Sequence, residues 1–206
     1  MIMKKIFSAI VALLLAAPSF AQFASGGFEL DKENVYYGAR MGLALGSMSG
    51  DHDATGLKAG LTLGGVIGLR LSSSAPVFLE SGLYYTQRGG KDGDYKMNLK
   101  YLEIPVLIKY GIKATDDIAI LPFIGPYFSY GIGGKATSFD EQGKKTKSSS
   151  YNIVNHGDMG FKVGCGAEYN MLYLEAGYQF GVANIADDDD LSIHSNALFI
   201  NFGVNF

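Results

Sequence analysis

The sequence predicts an all-β fold, an eight-stranded antiparallel up-and-down transmembrane β-barrel, and three observations predict it. Apolar and non-apolar residues alternate in about eight stretches between Val35 and Phe206. The connections between those stretches alternate long and short. The non-apolar face of each stretch is built from glycine and charge instead of ordinary surface polar residues. The segment Leu99 to Ile112 shows the pattern well: Leu102, Ile104, Val106, Ile108, Tyr110 and Ile112 fall on one phase, and Tyr101, Glu103, Pro105, Leu107, Lys109 and Gly111 on the other. A period of two is a β-strand whose faces meet different environments. A broad apolar face opposite a narrow face of glycine and charge predicts lipid outside and a polar lumen inside.

Taken in chain order, residues 1–21 read as a signal peptide. Lys4 and Lys5 form its basic end, Ile6 to Ala17 its apolar run, and Ser19-Phe20-Ala21 a small-x-small cleavage site before Gln22. The apolar run is shorter than the ~20 residues that a spanning helix needs. Residues 22–34 read as a periplasmic N-terminal lead-in, and 35–206 as one outer-membrane β-barrel domain. Its strands are expected at Tyr36–Gly46, Lys58–Leu71, Val77–Arg88, Leu99–Ile112, Ile118–Ile132, Asp158–Tyr169, Leu172–Val182 and Ala197–Phe206. Most reach the ~9–11 residues that a tilted strand uses to cross a bilayer. The connections 47–57, 89–98, 133–157 and 183–196 are long and polar; 72–76, 113–117 and 170–171 are tight turns. Long loops at one end and short turns at the other predict an extracellular and a periplasmic rim, with both termini in the periplasm.

The phase of each strand separates an outside from an inside. Leu43, Leu63, Ile67, Ile124, Leu174 and Ile200 are expected to face lipid. Arg40, Arg70, Glu80, Arg88, Glu103, Lys109, Lys162, Glu168 and Glu175 are expected in the lumen, padded by glycines on the same phase. Eight strands leave an interior just wide enough for side chains to fill. Arg70 and Glu80 lie diagonally across the 72–76 hairpin, and Glu168 and Glu175 are expected to face Lys162. The sequence favours a salt-bridged plug over an open channel, because open porins use ~16–18 strands. Tyr85, Phe128, Tyr130, Tyr178 and Phe180 fall near the long-loop rim, and Tyr37, Tyr110, Tyr169 and Phe206 near the other, as two girdles.

Two stretches, Phe78-Leu79-Glu80-Ser81-Gly82-Leu83-Tyr84-Tyr85 and Tyr101-Leu102-Glu103-Ile104-Pro105-Val106-Leu107-Ile108-Lys109-Tyr110, resemble the PorT-like outer-membrane β-barrel family of Bacteroidetes. Gly164-Cys165-Gly166-Ala167-Glu168-Tyr169 and Glu175-Ala176-Gly177-Tyr178 share the likeness, which covers roughly residues 35–206. The resemblance implies location and fold, not a mechanism. The ending Phe202-Gly203-Val204-Asn205-Phe206 is similar to the signal by which the outer-membrane insertion machinery recognises its clients. Phe202, Val204 and Phe206 carry that similarity.

The expected function is an integral outer-membrane barrel with a closed lumen and a structural or interaction role. A small porin-like channel is one alternative and an outer-membrane lipid-modifying enzyme is another. Without residues 1–21 the chain holds 15 basic and 20 acidic residues, a balance that argues against nucleic acid. Cys165 is the single cysteine and excludes an internal disulfide. No cofactor or metal is expected. Asp187-Asp188-Asp189-Asp190 lacks the spacing and turn glycine of an EF-hand loop. His52, His156 and His194 all fall in long loops, and no spacing assembles a catalytic triad, so no enzyme is expected. The expected partners are membrane lipids, the insertion machinery and a surface partner bound through 133–157, which carries Lys135, Lys144, Lys145 and Lys147.

Overall fold

The computed structural model describes residues 35–50, 55–92, 95–139, 145–150, 154–186 and 192–206. The signal segment 1–21, the lead-in 22–34, His52 and Asp187 to Asp190 lie outside the described residues. The strands are β1 (Val35–Gly50), β2 (Gly56–Arg70), β3 (Val77–Arg88), β4 (Gly90–Asp92), β5 (Tyr95–Tyr110) and β6 (Ile112–Lys113). They continue with β7 (Ile118–Phe139), β8 (Lys145–Ser149), β9 (Gly157–Tyr169), β10 (Leu172–Gly181) and β11 (Ile193–Asn205).

Eight of these close into a ring. Antiparallel ladders join β1 to β2, β2 to β3, β3 to β5, β5 to β7, β7 to β9, β9 to β10, β10 to β11, and β11 back to β1. The stagger follows from the register. Stepping from Arg40 through Gly64, Tyr84 and Glu103 reaches Ser129. Stepping the other way through Gly203, Tyr173 and Glu168 reaches Ala119, ten residues away on the same strand. Such a shear tilts the strands and brings residues distant in sequence onto one level of the lumen.

The faces of the spanning strands divide by phase. Leu43, Ile67, Ile104, Ile124, Leu174 and Ile200 are exposed, whereas Arg40, Glu80, Glu103 and Lys109 are almost fully buried. This distribution is the reverse of a water-soluble barrel and suits a hydrocarbon surround. On β5 and β6 the exposed apolar run from Leu102 to Ile112 spans about 33 Å along the chain, or about 25 Å along the axis at a ~40° tilt. Tyr37, Tyr110, Tyr169 and Phe206 are exposed at the short-turn end, and Phe128, Tyr130 and Tyr178 toward the other. Cys165 is a free, exposed residue on the apolar face.

Short turns close one end. In the 113–117 turn the Thr115 hydroxyl accepts from the Ile118 amide at 3.1 Å. Asn170 takes the left-handed conformation (φ 52°) between β9 and β10, which its short polar side chain tolerates.

The long-loop end departs from expectation. Residues 89–98 and 133–157, read from sequence as loops, are largely strand. β4 pairs with the start of β5, β7 runs on to Phe139, and β8 pairs back onto it. Likewise β1 continues to Gly50 and β11 begins at Ile193. Polar composition signals a loop only where the backbone lacks ladder partners. Here the polar residues sit on the outward face of strands that project past the apolar belt. Gly89, at φ 155°, sets the break between β3 and β4, and a Cβ there would meet the Met97 carbonyl oxygen at 2.1 Å.

Candidate functional site: the barrel lumen

Four cations and five carboxylates are buried in the barrel among the described residues: Arg40, Arg88, Lys109 and Lys162 against Glu80, Glu103, Asp158, Glu168 and Glu175. They assemble into two clusters.

The cluster nearer the short turns centres on Glu80. Lys109 Nζ lies 2.8 Å and Arg40 3.5 Å from its carboxylate, and the Tyr36 hydroxyl donates to it at 2.7 Å. Lys109 also donates to the Tyr173 hydroxyl at 2.8 Å and lies 3.7 Å from Glu175. Arg40 stacks over the Tyr173 ring at 4.0 Å and donates to Asn205 Oδ1 at 2.6 Å. Asn205 in turn donates to Glu168 at 2.5 Å, and Asn201 donates to Glu175 at 2.8 Å. Glycine makes room for these long chains. A Cβ at Gly68 would lie 2.0 Å from the Tyr36 ring, and one at Gly166 would lie 2.2 Å from the Tyr173 hydroxyl.

The second cluster centres on Glu103, nearer the long-loop end. Lys162 forms a close ion pair with it, Arg88 approaches at 3.3 Å, and Ser129 and Gln179 each donate at 3.0 Å. Arg88 also pairs with Asp158 at 3.0 Å, while its guanidinium lies over the Tyr101 ring at 4.5 Å.

An apolar layer separates the two. Phe123 and Phe199 stack with ring centroids 6.3 Å apart, packed with Ala44, Leu107 and Ala197. Lys109 sits 5.3 Å from the Phe123 ring on one side, and Lys162 sits 5.0 Å from the Phe199 ring on the other. Beyond the Glu103 cluster a second apolar group, Met48, Met97, Leu99, Tyr101, Val154 and Ile185, fills the long-loop end. The lumen therefore reads, from the short turns upward, as ion pairs, aromatic layer, ion pairs and apolar cap.

Eight of the nine lumen charges expected from sequence are buried together, but several pairings differ. Lys162 pairs with Glu103 past the intervening strand β7; Glu168 and Glu175, expected to face it, belong to the other cluster. Arg70 is half-buried at the end of β2, where Nε donates to Ser72 O at 2.8 Å, and the Glu80 expected diagonally opposite pairs with Lys109 and Arg40. The shear sets these partners, and a sequence does not display it. Asp158, Tyr36, Gln179, Asn201 and Asn205 were missed. Their strand phase carried the signal: Asp158 shares the parity of Lys162, and Asn201 and Asn205 that of Gly203. Phe78, Phe123 and Phe199 are buried too, so the inner face holds more than glycine and charge.

Away from the lumen, His156 Nδ1 lies 2.7 Å from Gly131 O, and its ring stacks on Tyr130 at 5.4 Å. His194 Nδ1 lies 3.0 Å from Ala183 O and Nε2 lies 3.1 Å from Ser192 Oγ. A carbonyl only accepts, so in a neutral ring Nδ1 carries the proton and Nε2 accepts from Ser192. No group of His, Cys, Asp and Glu among the described residues is arranged to hold a metal ion. Phe202 and Phe206 are exposed, and Val204 is half-buried on the same face.

No curated protein matches the chain. Among solved structures it is similar to Neisserial surface protein A (17% identity, 84% of this chain, 98% of that one, TM-score 0.49). It is also similar to Ail, the attachment invasion locus protein of Yersinia pestis (13% identity, 84% and 100%, TM-score 0.46). A third similar structure is the outer membrane protein OprG from Pseudomonas aeruginosa (13% identity, 86% and 98%, TM-score 0.46). The outer membrane protein beta-barrel domain matches residues 20–187. With its closed eight-stranded ring, apolar exterior and ion-paired interior, the chain belongs to this family of bacterial outer-membrane barrels.

Proposed function

We propose that this barrel is closed to solutes and acts as a structural or interaction protein of the outer membrane. The observation that carries the reading is the lumen stack, in which side chains from strands two and three apart around the ring meet inside it. Lys162 on β9 meets Glu103 on β5, and Lys109 on β5 meets Tyr173 on β10. Opening a path means breaking buried ion pairs, each costing about 3–5 kcal/mol when one partner is removed. In this reading the long-loop end faces outward and the protein arrives by signal-peptide export. The insertion machinery then recognises Phe202, Val204 and Phe206. The β7–β8 hairpin, within 133–157, presents the surface for a partner. The resemblance of Tyr101 to Tyr110 supports a place among PorT-like barrels.

Planar-bilayer recording of the refolded protein tests the reading. The expected result is a silent membrane; discrete steps at neutral pH overturn it in favour of the small channel.

The lipid-modifying alternative has one contact in its favour, Ser192 to His194. Its weakness is the orienting group, a neutral backbone carbonyl where a triad places a carboxylate. Unchanged lipid A masses in cells with and without the protein are expected.

A further inference from the structure

The two lumen clusters use their lysines differently. In the cluster nearer the short turns, the Lys109 ammonium reaches Glu80 at 2.8 Å, the Tyr173 hydroxyl at 2.8 Å and Glu175 at 3.7 Å. An ammonium has three protons, so each of them has an acceptor there. In the other cluster Lys162 pairs with Glu103, its one acceptor among the described residues. The Lys162 side chain is also 9% exposed, where that of Lys109 is 0% exposed.

Further polar groups without a protein partner collect beside Lys162. Thr62 and Thr86 stand directly opposite each other on the inward faces of β2 and β3, and Tyr84 follows two residues along β3, opposite Gly64. A Cβ at Gly64 would lie 2.5 Å from the Tyr84 ring, and Lys162 Nζ lies 5.5 Å from the centre of that ring. Thr62, Tyr84 and Thr86 are all buried. Their hydroxyls bond to no described residue, yet each keeps some accessible surface within the barrel. The neighbouring inward positions of β1 and β2 are small: Gly42, Ala44 and Gly46 on one strand, Gly60 and Gly64 on the other. A wall of small residues therefore faces hydroxyls and an ammonium with hydrogen bonds still to make.

Charge narrows the occupant. Arg88 and Lys162 balance Glu103 and Asp158, so an added ion would leave a net charge inside this cluster. What the recess lacks is a neutral oxygen acceptor. A water molecule supplies one, and it donates onward to a hydroxyl oxygen in the same step. We propose that the recess between Lys162, Tyr84, Thr62 and Thr86 is a binding site for ordered water, which completes the hydrogen bonding of the Lys162 ammonium. A buried water makes about three hydrogen bonds, and these four side chains supply them. The Glu103 cluster is then a hydrated joint, and the Glu80 cluster a dry one.

The test replaces hydroxyls by groups of the same shape in the full, folded protein in vesicles. Unpaired in a dry recess, a hydroxyl is a cost, and Thr62→Val with Thr86→Val would raise the urea midpoint. Around bound water the same change removes the water's partners. We expect the folding equilibrium constant of the double variant to fall about three- to tenfold, and that of Tyr84→Phe to fall in the same direction. Thr137→Val, beside Lys96 on the outward face of the crown, is the control and is expected to change little. Heat-modifiable migration verifies that each variant is folded. A crystal structure fine enough to show water is expected to place oxygen density within hydrogen-bond distance of Lys162 Nζ and of at least one of the three hydroxyls. A raised or unchanged midpoint in the double variant, an equal loss in Thr137→Val, or no such density overturns the proposal. An anomalous bromide peak at the recess in soaked crystals also overturns it, and assigns the site to an anion. Bilayer recording reads the passage of solutes whereas these measurements read the hydration of one recess, so the two readings fail separately.

Discussion

The two halves of β5 obey opposite rules. From Leu102 to Tyr110 the apolar Leu102, Ile104, Ile108 and Tyr110 point out, while Glu103 and Lys109 are buried together with Leu107. From Lys96 to Tyr101 the apolar Met97, Leu99 and Tyr101 are buried, and Lys96 is exposed. The same inversion occurs on β1, where exposed Met41 and Leu43 give way to buried Met48 flanked by Ser47 and Ser49. On β11, exposed Leu198 and Ile200 contrast with His194 and Asn196 on the same face. One continuous ring is therefore built as a membrane barrel below and as a water-soluble barrel above. The solvent outside changes at the boundary, and the inside changes to compensate. Where lipid surrounds the sheet, polar groups collect inside and must satisfy one another. Where water surrounds it, the inside becomes an ordinary apolar core, the cap of Met48, Met97, Leu99, Val154 and Ile185.

The strongest way to break this comparison is at Glu103, which anchors the belt's upper cluster. Glu103→Ala leaves Lys162 and Arg88 without their shared carboxylate, a loss of about 3–5 kcal/mol for a buried pair. Folding yield and the heat-modifiable gel shift are expected to fall sharply. A variant that folds and resists heating like the parent would show that the ion pairs do not hold the belt together.

The crown calls for a different experiment, because its stability comes from packing. Leu99 is fully buried in the cap, and Leu99→Ala removes about 2–5 kcal/mol by transfer and cavity terms. Local opening is expected to expose β4, β7 and β8 to protease while the belt keeps its gel shift. Loss of both together would mean that crown and belt unfold as one cooperative unit.

These halves also differ in how readily they are read from sequence. In the belt, period-two alternation marks both faces, and the phase of Arg40, Glu80, Glu103, Lys109 and Lys162 was visible residue by residue. Above Leu102 the alternation continues with its sense reversed, so Lys96, Asn98 and Lys100 looked like loop residues although they lie on a strand. Ion-pair partners were legible only where they depended on nearby chain. Lys162 and Glu103 meet past β7 through the stagger of the β5, β7 and β9 ladders, which no local pattern encodes. Tyr36 and Tyr173 were hidden for another reason: buried tyrosines in a lumen look the same as girdle tyrosines until strand parity is applied to them.

The boundary between the regimes is sharpened by placing one charge on either side of it. Ile108 is exposed in the belt, and Ile108→Arg is expected to cost about 2–4 kcal/mol near the bilayer midplane. Asn98 lies ten residues away on the same outward phase above the belt, opposite Lys135, and Asn98→Glu is expected to be nearly neutral or slightly stabilising. Urea unfolding from vesicles measures both. Equal costs would remove the distinction between lipid-facing and water-facing outer surface.

The smallest expected effect separates the halves by crowding. A Cβ at Gly125 in the belt would lie 2.0 Å from the Val106 carbonyl oxygen, a backbone atom that cannot move aside without disturbing the sheet. Gly133 in the crown has nothing within 4 Å of the same position. Gly125→Ala is therefore expected to destabilise by about 1–3 kcal/mol through overpacking. Gly133→Ala is expected to be neutral or to stabilise by about 0.4–1 kcal/mol, because alanine restricts the unfolded chain. Midpoints of urea unfolding for the two variants give the sign directly. Gly125 then lets the backbones of β5 and β7 approach closely, as Gly68 and Gly166 make room for lumen tyrosines, while Gly133 in the crown has no neighbour to make room for. If both substitutions destabilise equally, backbone conformation and not lumen packing explains the glycines, and the contrast between the two halves loses its packing basis.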